Sequence, residues 1–66
     1  MMTAKMMETR ATELAAVIRS ADTWDIDALA ELCSLAGMAA EWEAADGESF
    51  EGVAYAAADK LGVAIV

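Results

Sequence analysis

The sequence of 66 residues predicts an all-α fold, a compact bundle of about four short helices with a short apolar C-terminal tail. Apolar residues recur at three- and four-residue spacing in four separate stretches. Proline is absent, two of the four glycines lie between these stretches, and a third follows the last of them. We expect one domain over residues 1–66, with a core formed by the larger apolar side chains: Leu14, Ile18, Leu29, Leu32, Leu35, Trp42, Phe50, Val53 and Leu61.

The first predicted helix runs from about Lys5 to Arg19. It carries its apolar residues on one face, at Met7, Ala11, Leu14 and Ile18.

The second predicted helix has the clearest signals. Asp25 is a natural N-cap, because its carboxylate can accept from the free backbone N–H groups of the first turn. The apolar positions that follow lie on one helix face. Gly37 ends the helix, since glycine adopts a left-handed conformation without a Cβ penalty. The apolar residues of this face are Leu29, Leu32, Cys33 and Ala36.

The third predicted helix spans Met38 to Ala45, with Met38 and Trp42 on one face and Glu41 and Glu43 on the other. The alternative is one long helix through Gly37, at a cost of about 1 kcal/mol for the interior glycine. We favour the break. The two tryptophans of the chain, Trp24 and Trp42, are either core residues or anchors of an interface.

The fourth predicted helix begins after Ser49, which we expect to cap it, and runs to about Leu61 before Gly62. Gly52 lies in its first turn, as a tolerated glycine or as a point of close approach by another helix. The apolar tail 63–66 is expected to fold back onto the helices. Otherwise it would pair with a partner's sheet edge or with its own copy.

Charge is the strongest compositional signal. The net charge is −8, and no basic residue occurs between Arg19 and Lys60. Nucleic acid and anionic membranes are therefore excluded as direct partners, whereas a protein with a basic surface is favoured. The predicted partner-binding residues are the carboxylates that dominate this interval: Asp22, Asp25, Asp27, Glu31, Glu41, Glu43, Glu48 and Glu51.

The residues give little support for catalysis. Histidine is absent, and the single cysteine, Cys33, lies on an apolar helix face where a structural role is expected. We predict no enzymatic activity, no cofactor and no metal site. Charged residues interrupt the N-terminal apolar residues, which argues against a membrane span, and we expect a cytoplasmic protein. The outline of a helix-turn-helix around Gly37 carries acidic residues where a DNA-reading helix needs basic ones.

Part of the chain resembles a sterile-alpha-motif domain. The similarity consists of a tryptophan before an early helix, a turn at Gly37, an Asp-Gly turn at Asp46 and the late run Asp59-Lys60-Leu61-Gly62-Val63. The segment between Gly37 and Asp46 is shorter than in that family, and no long final helix follows. The resemblance implies self-association or pairing with another helical domain.

In its acidic character, the chain also resembles small inhibitor proteins of phages and other mobile elements. Several of these inhibit CRISPR or restriction enzymes by presenting carboxylates where DNA phosphates would bind. The resemblance implies an acidic, non-enzymatic protein-binding module that inhibits a nucleic-acid-handling enzyme. The alternative is an assembly protein that forms a homo-oligomer, such as a homodimer, through apolar helix faces and the C-terminal tail.

Overall fold

A computed structural model describes residues 4–66, with side chains from residue 8 onward, and confirms the all-α prediction. No strand occurs in this part of the chain, and none of its helices is long and apolar enough to cross a membrane. The prediction that Met7 lies on the apolar face of the first helix concerns a side chain outside the described part of the structure. The helices are α1 (Ala4–Ser20), α2 (Ile26–Leu35), α3 (Ala39–Ala44) and α4 (Phe50–Leu61).

Helix α2, like α4, packs against each of the other three helices. Its start is confirmed, since the backbone N–H of Ala28 donates to the Asp25 carboxylate over 3.1 Å. Its end is confirmed at Gly37, which has a φ of +74°. The N–H of Met38 then donates to the Cys33 carbonyl over 2.8 Å, as in a Schellman motif. A separate α3 therefore follows, and the alternative of one long helix is wrong.

The prediction that the Ser49 side chain caps α4 is wrong. Ser49 occupies the N-cap position, but its hydroxyl makes no capping bond and instead donates to the Asp46 carboxylate over 3.0 Å. The same carboxylate oxygen accepts from the N–H groups of Glu48 (3.0 Å) and Ser49 (2.9 Å). Asp46 thus satisfies free donors of the turn before the helix, because an ionised carboxylate is a stronger acceptor than a hydroxyl.

The core is built more from alanine than we expected. Leu14, Ile18, Leu29 and Leu32 are buried, as predicted. The other five predicted core residues are only partly buried and pack at its edge. Small side chains let helix backbones approach closely, which leaves the larger residues on the periphery. Seven of the thirteen buried hydrophobic residues in the described part are alanines, namely Ala11, Ala15, Ala28, Ala36, Ala54, Ala57 and Ala58.

The C-terminal tail folds back onto the helices, as expected. Ile65 is only 2% exposed and belongs to the core, and the Arg19 guanidinium donates to the Ala64 carbonyl. Gly52 is a tolerated helix glycine, because a Cβ added there would meet no atom within 4 Å. The alternative of close approach by another helix at Gly52 is therefore wrong.

Candidate functional site

The four aromatic residues of the chain form one continuous row at the surface. Trp24 contacts Tyr55 and Phe50 with ring centroids 6.1 and 6.3 Å apart, and Trp42 contacts Phe50 at 6.1 Å. All three contacts are edge-to-face, the geometry that aromatic pairs favour. None of the four side chains is buried, and Tyr55 is 42% exposed. We call Tyr55, Trp24, Phe50 and Trp42 the aromatic row.

The row lies where three segments of the chain meet. Trp24 belongs to the loop between α1 and α2, Trp42 to α3, and Phe50 to the first turn of α4. These three side chains also pack against the core, which fixes their positions. Tyr55, on α4, is not among the predicted core residues and is the most exposed member of the row. Each tryptophan is thus both a core-edge residue and part of an exposed surface.

The aromatic contacts bring together segments that carry most of the predicted partner-binding carboxylates. Trp24 lies among the aspartates of the α1–α2 loop and the start of α2, Trp42 lies between two glutamates, and Phe50 precedes another. Those residues are Asp22, Asp25, Asp27, Glu41, Glu43, Glu48 and Glu51; all are exposed except Asp25, which is half-buried.

Two of the predicted carboxylates serve the fold instead. Asp25 caps α2. Glu31 on α2 pairs with Arg10 on α1, with one N–H···O distance of 2.9 Å between Nη2 and Oε1, and Arg10 also lies 3.3 Å from Glu13. The hydrogen bond from Arg10 lowers the pKa of Glu31. Glu31 therefore ties α1 to α2.

The other six predicted carboxylates have no partner among the described residues. They form no ion pair or side-chain hydrogen bond with any side chain from residue 8 onward. Their negative charge is therefore available to an incoming molecule. These are Asp22, Asp27, Glu41, Glu43, Glu48 and Glu51.

Asp46 lies in the same region but was not among the predicted residues. Its pKa is lowered, first by the backbone N–H of Glu48 and then by the Ser49 hydroxyl. The Asp-Gly pair in the sequence signalled the turn but not these bonds. Asp46 holds the turn between α3 and α4, and so fixes the positions of Glu48 and Phe50 relative to α3.

A groove with a volume of about 440 Å³ adjoins the aromatic row at Trp24. Ile18 and Ile65 give it apolar walls, and Asp22 and Arg19 also line it. The Arg19 guanidinium is engaged by the Ala64 carbonyl. Trp24 therefore belongs to the aromatic row and also lines the groove. Neither the row nor the groove was predicted from the sequence.

Metal binding and nucleophilic chemistry depend on a few residue types in the described part of the chain. No group of three or more His, Cys, Asp or Glu residues within this part of the chain is placed to hold a metal ion. Cys33 is buried, and this burial raises the pKa of its thiol, so the reactive thiolate is disfavoured. The exposed carboxylates and aromatic rings instead suit the recognition of a cationic surface.

Comparison with known proteins assigns no function to these features. No protein-family model, no curated protein and no solved structure matches this chain. The candidate site is thus defined by its own residues, as an aromatic row together with the unpaired carboxylates of the segments that form it.

Proposed function

We propose that this chain is a small, acidic, non-enzymatic protein-binding module whose partner presents a basic surface. The observation that supports the proposal is the set of six exposed, unpaired carboxylates on the segments that the aromatic contacts bring together. Such a surface attracts Lys and Arg side chains and repels nucleic acid and anionic lipid.

The basic residues whose side chains the structure describes offset little of this charge near Phe50 and Trp42. Arg10 pairs with Glu13 and Glu31, whereas Arg19 is held at the groove beside Trp24 by the Ala64 carbonyl. Lys60 lies ten residues after Phe50 on α4, about 15 Å along the helix axis. The carboxylates near Phe50 and Trp42 therefore present a field of one sign toward solvent.

The partner that this chemistry favours most is a nucleic-acid-handling enzyme, which the module would inhibit. Such enzymes contact phosphates through clusters of Lys and Arg. Carboxylates held on a rigid helical scaffold can occupy those clusters and compete with the nucleic acid. Inhibition then requires no chemical step, in keeping with the absence of histidine and the burial of Cys33.

Capture from a cell lysate followed by competition tests this proposal. We expect an enzyme that acts on nucleic acid to be retained at about 0.1 M salt and released at about 0.5 M, since screening weakens exposed charge pairs. The purified enzyme should then lose a labelled DNA or RNA duplex as the module is added. Retention that is independent of salt, or a duplex that stays bound at saturating module, would contradict the proposal.

A homo-oligomeric assembly role is the second candidate, and exposed aliphatic side chains favour it. Val17 is 46% exposed, Ile26 50% and Val66 78%. Apolar association would survive high salt, because salt does not screen apolar burial as it screens charge. Sedimentation equilibrium decides this point: an oligomer at both salt concentrations supports assembly, and a monomer at high micromolar concentration eliminates it.

A further inference from the structure

We propose that the aromatic row is an arginine-binding surface, which anchors an arginine-rich segment of the partner. This inference rests on the proposed function and deepens it, because it names the side chain that the partner supplies. It also gives the row a role separate from the core.

The first support is the position of the rings. The core is filled by aliphatic side chains and alanines, while all four aromatic residues remain at least partly exposed. Aromatic side chains clustered at a surface are typical of binding hot spots, since they bury a large area at little cost in conformational entropy. The groove beside Trp24 leaves room for a partner's chain along one end of the row.

The second support is charge complementarity. Asp22 lines the same groove as Trp24, and its side chain is exposed. Glu51 follows Phe50 directly and lies one helical turn before Tyr55, so it shares a face of α4 with Tyr55. A cation placed over these rings would therefore find a carboxylate close to the row, and neither an anionic nor a purely apolar partner would match that combination.

The chemistry selects arginine over lysine. A guanidinium is planar, so it stacks on an aromatic ring while its N–H groups remain free to donate to a carboxylate in a bidentate pair. A lysine ammonium is a strongly hydrated point charge that cannot make both contacts at once with the same geometry. A row of rings bordered by carboxylates therefore favours arginine.

Peptide titration tests the assignment on the full chain. The probes are a blocked peptide with four arginines spaced by Gly-Ser and the same peptide with lysines. Binding is followed by the NMR signals of the Trp24 and Trp42 indole N–H groups. We expect the arginine peptide to shift both signals and to bind about threefold tighter than the lysine peptide at equal ionic strength.

Two variants of Tyr55 localise the effect. Tyr55→Ala and Tyr55→Leu should each lower affinity for the arginine peptide by about threefold, because both remove the ring, and the second retains apolar volume. Val17→Ala is the matched control, since Val17 is similarly exposed but lies on α1. It should leave the affinity unchanged.

The outcomes separate this inference from the proposed function. Equal binding of both peptides, with no effect of the Tyr55 variants, would overturn the arginine assignment and leave the acidic binding surface in place. Failure of both peptides to bind at low salt would contradict both proposals. Indole signals that move with protein concentration alone would show that a second copy of the chain covers the row, which also overturns the assignment.

Discussion

Glycine plays opposite roles at two positions of α4. Gly62 adopts a φ of +72° at the helix end, whereas Gly52 lies inside the helix with open space around it. Gly62→Ala should therefore destabilise the fold by about 1 kcal/mol, because an L-residue is strained there. Gly52→Ala should stabilise it by about 0.5–1 kcal/mol through helix propensity. Urea unfolding measures the change in the free energy of unfolding for both variants. Changes of the same sign would contradict the backbone conformations assigned to Gly52 and Gly62.

The Arg10–Glu31 pair predicts a pH effect at the residue scale. Because the folded-state pKa of Glu31 is lowered, its contribution to stability is present above the unfolded value, near 4.5, and is lost as pH falls through the folded pKa. Arg10→Gln should remove this pH-dependent loss. The free energy of unfolding of the variant should therefore change less than that of the wild type between about pH 5 and 3. Both side chains are exposed, so the difference is small.

Lys60→Gln is the control for that comparison, since it removes one positive charge from a residue with no ion pair among the described side chains. Its pH profile should follow the wild type. Parallel profiles for Arg10→Gln and Lys60→Gln would show that the pair contributes nothing specific.

At the scale of the elements, the sequence predicted some features fully and others not at all. The bounds of α2 follow from Asp25 and Gly37, because caps act locally and leave a signature in adjacent residues. The burial of Ala11 and Ala36 agrees with the apolar faces predicted for them, but that of Ala28 and Ala58 could not be predicted, since alanine favours a helix equally on an exposed or a buried face. The aromatic row joins residues 24, 42, 50 and 55, and only tertiary packing brings these together.

The alanine packing predicts a steep response to small increases in volume. Ala54 is fully buried on α4, whereas Ala56 is exposed two residues later. Ala54→Val should cost about 1–3 kcal/mol by overpacking. Ala56→Val should cost only about 0.5 kcal/mol, through the lower helix propensity of valine. Thermal unfolding of both variants checks this, and equal losses would show that the helices do not pack closely at Ala54.

At the scale of the whole molecule, size and charge act together. A chain of this length buries only about 60% of its unfolded surface, so its stability margin is narrow. The alanine-rich core fits that size, and it leaves the aromatic residues and most carboxylates at the surface. The charge of −8 was readable from composition, but which carboxylates are unpaired was not, because the Arg10–Glu31 pair forms only when α1 and α2 pack. The binding proposal therefore depends on which carboxylates remain free.

The most direct test of that claim is the affinity of the captured partner for two charge-reversal variants. Glu41→Lys with Glu43→Lys places the change on α3, next to Trp42 in the sequence, while Glu8→Lys with Glu13→Lys makes the same change in net charge on α1, which carries no residue of the aromatic row. Circular dichroism checks that both variants remain folded. We predict that the first variant weakens binding by at least about tenfold and that the second has little effect. Equal affinities for the two variants would contradict a localised binding surface and reduce the acidic charge to a determinant of solubility.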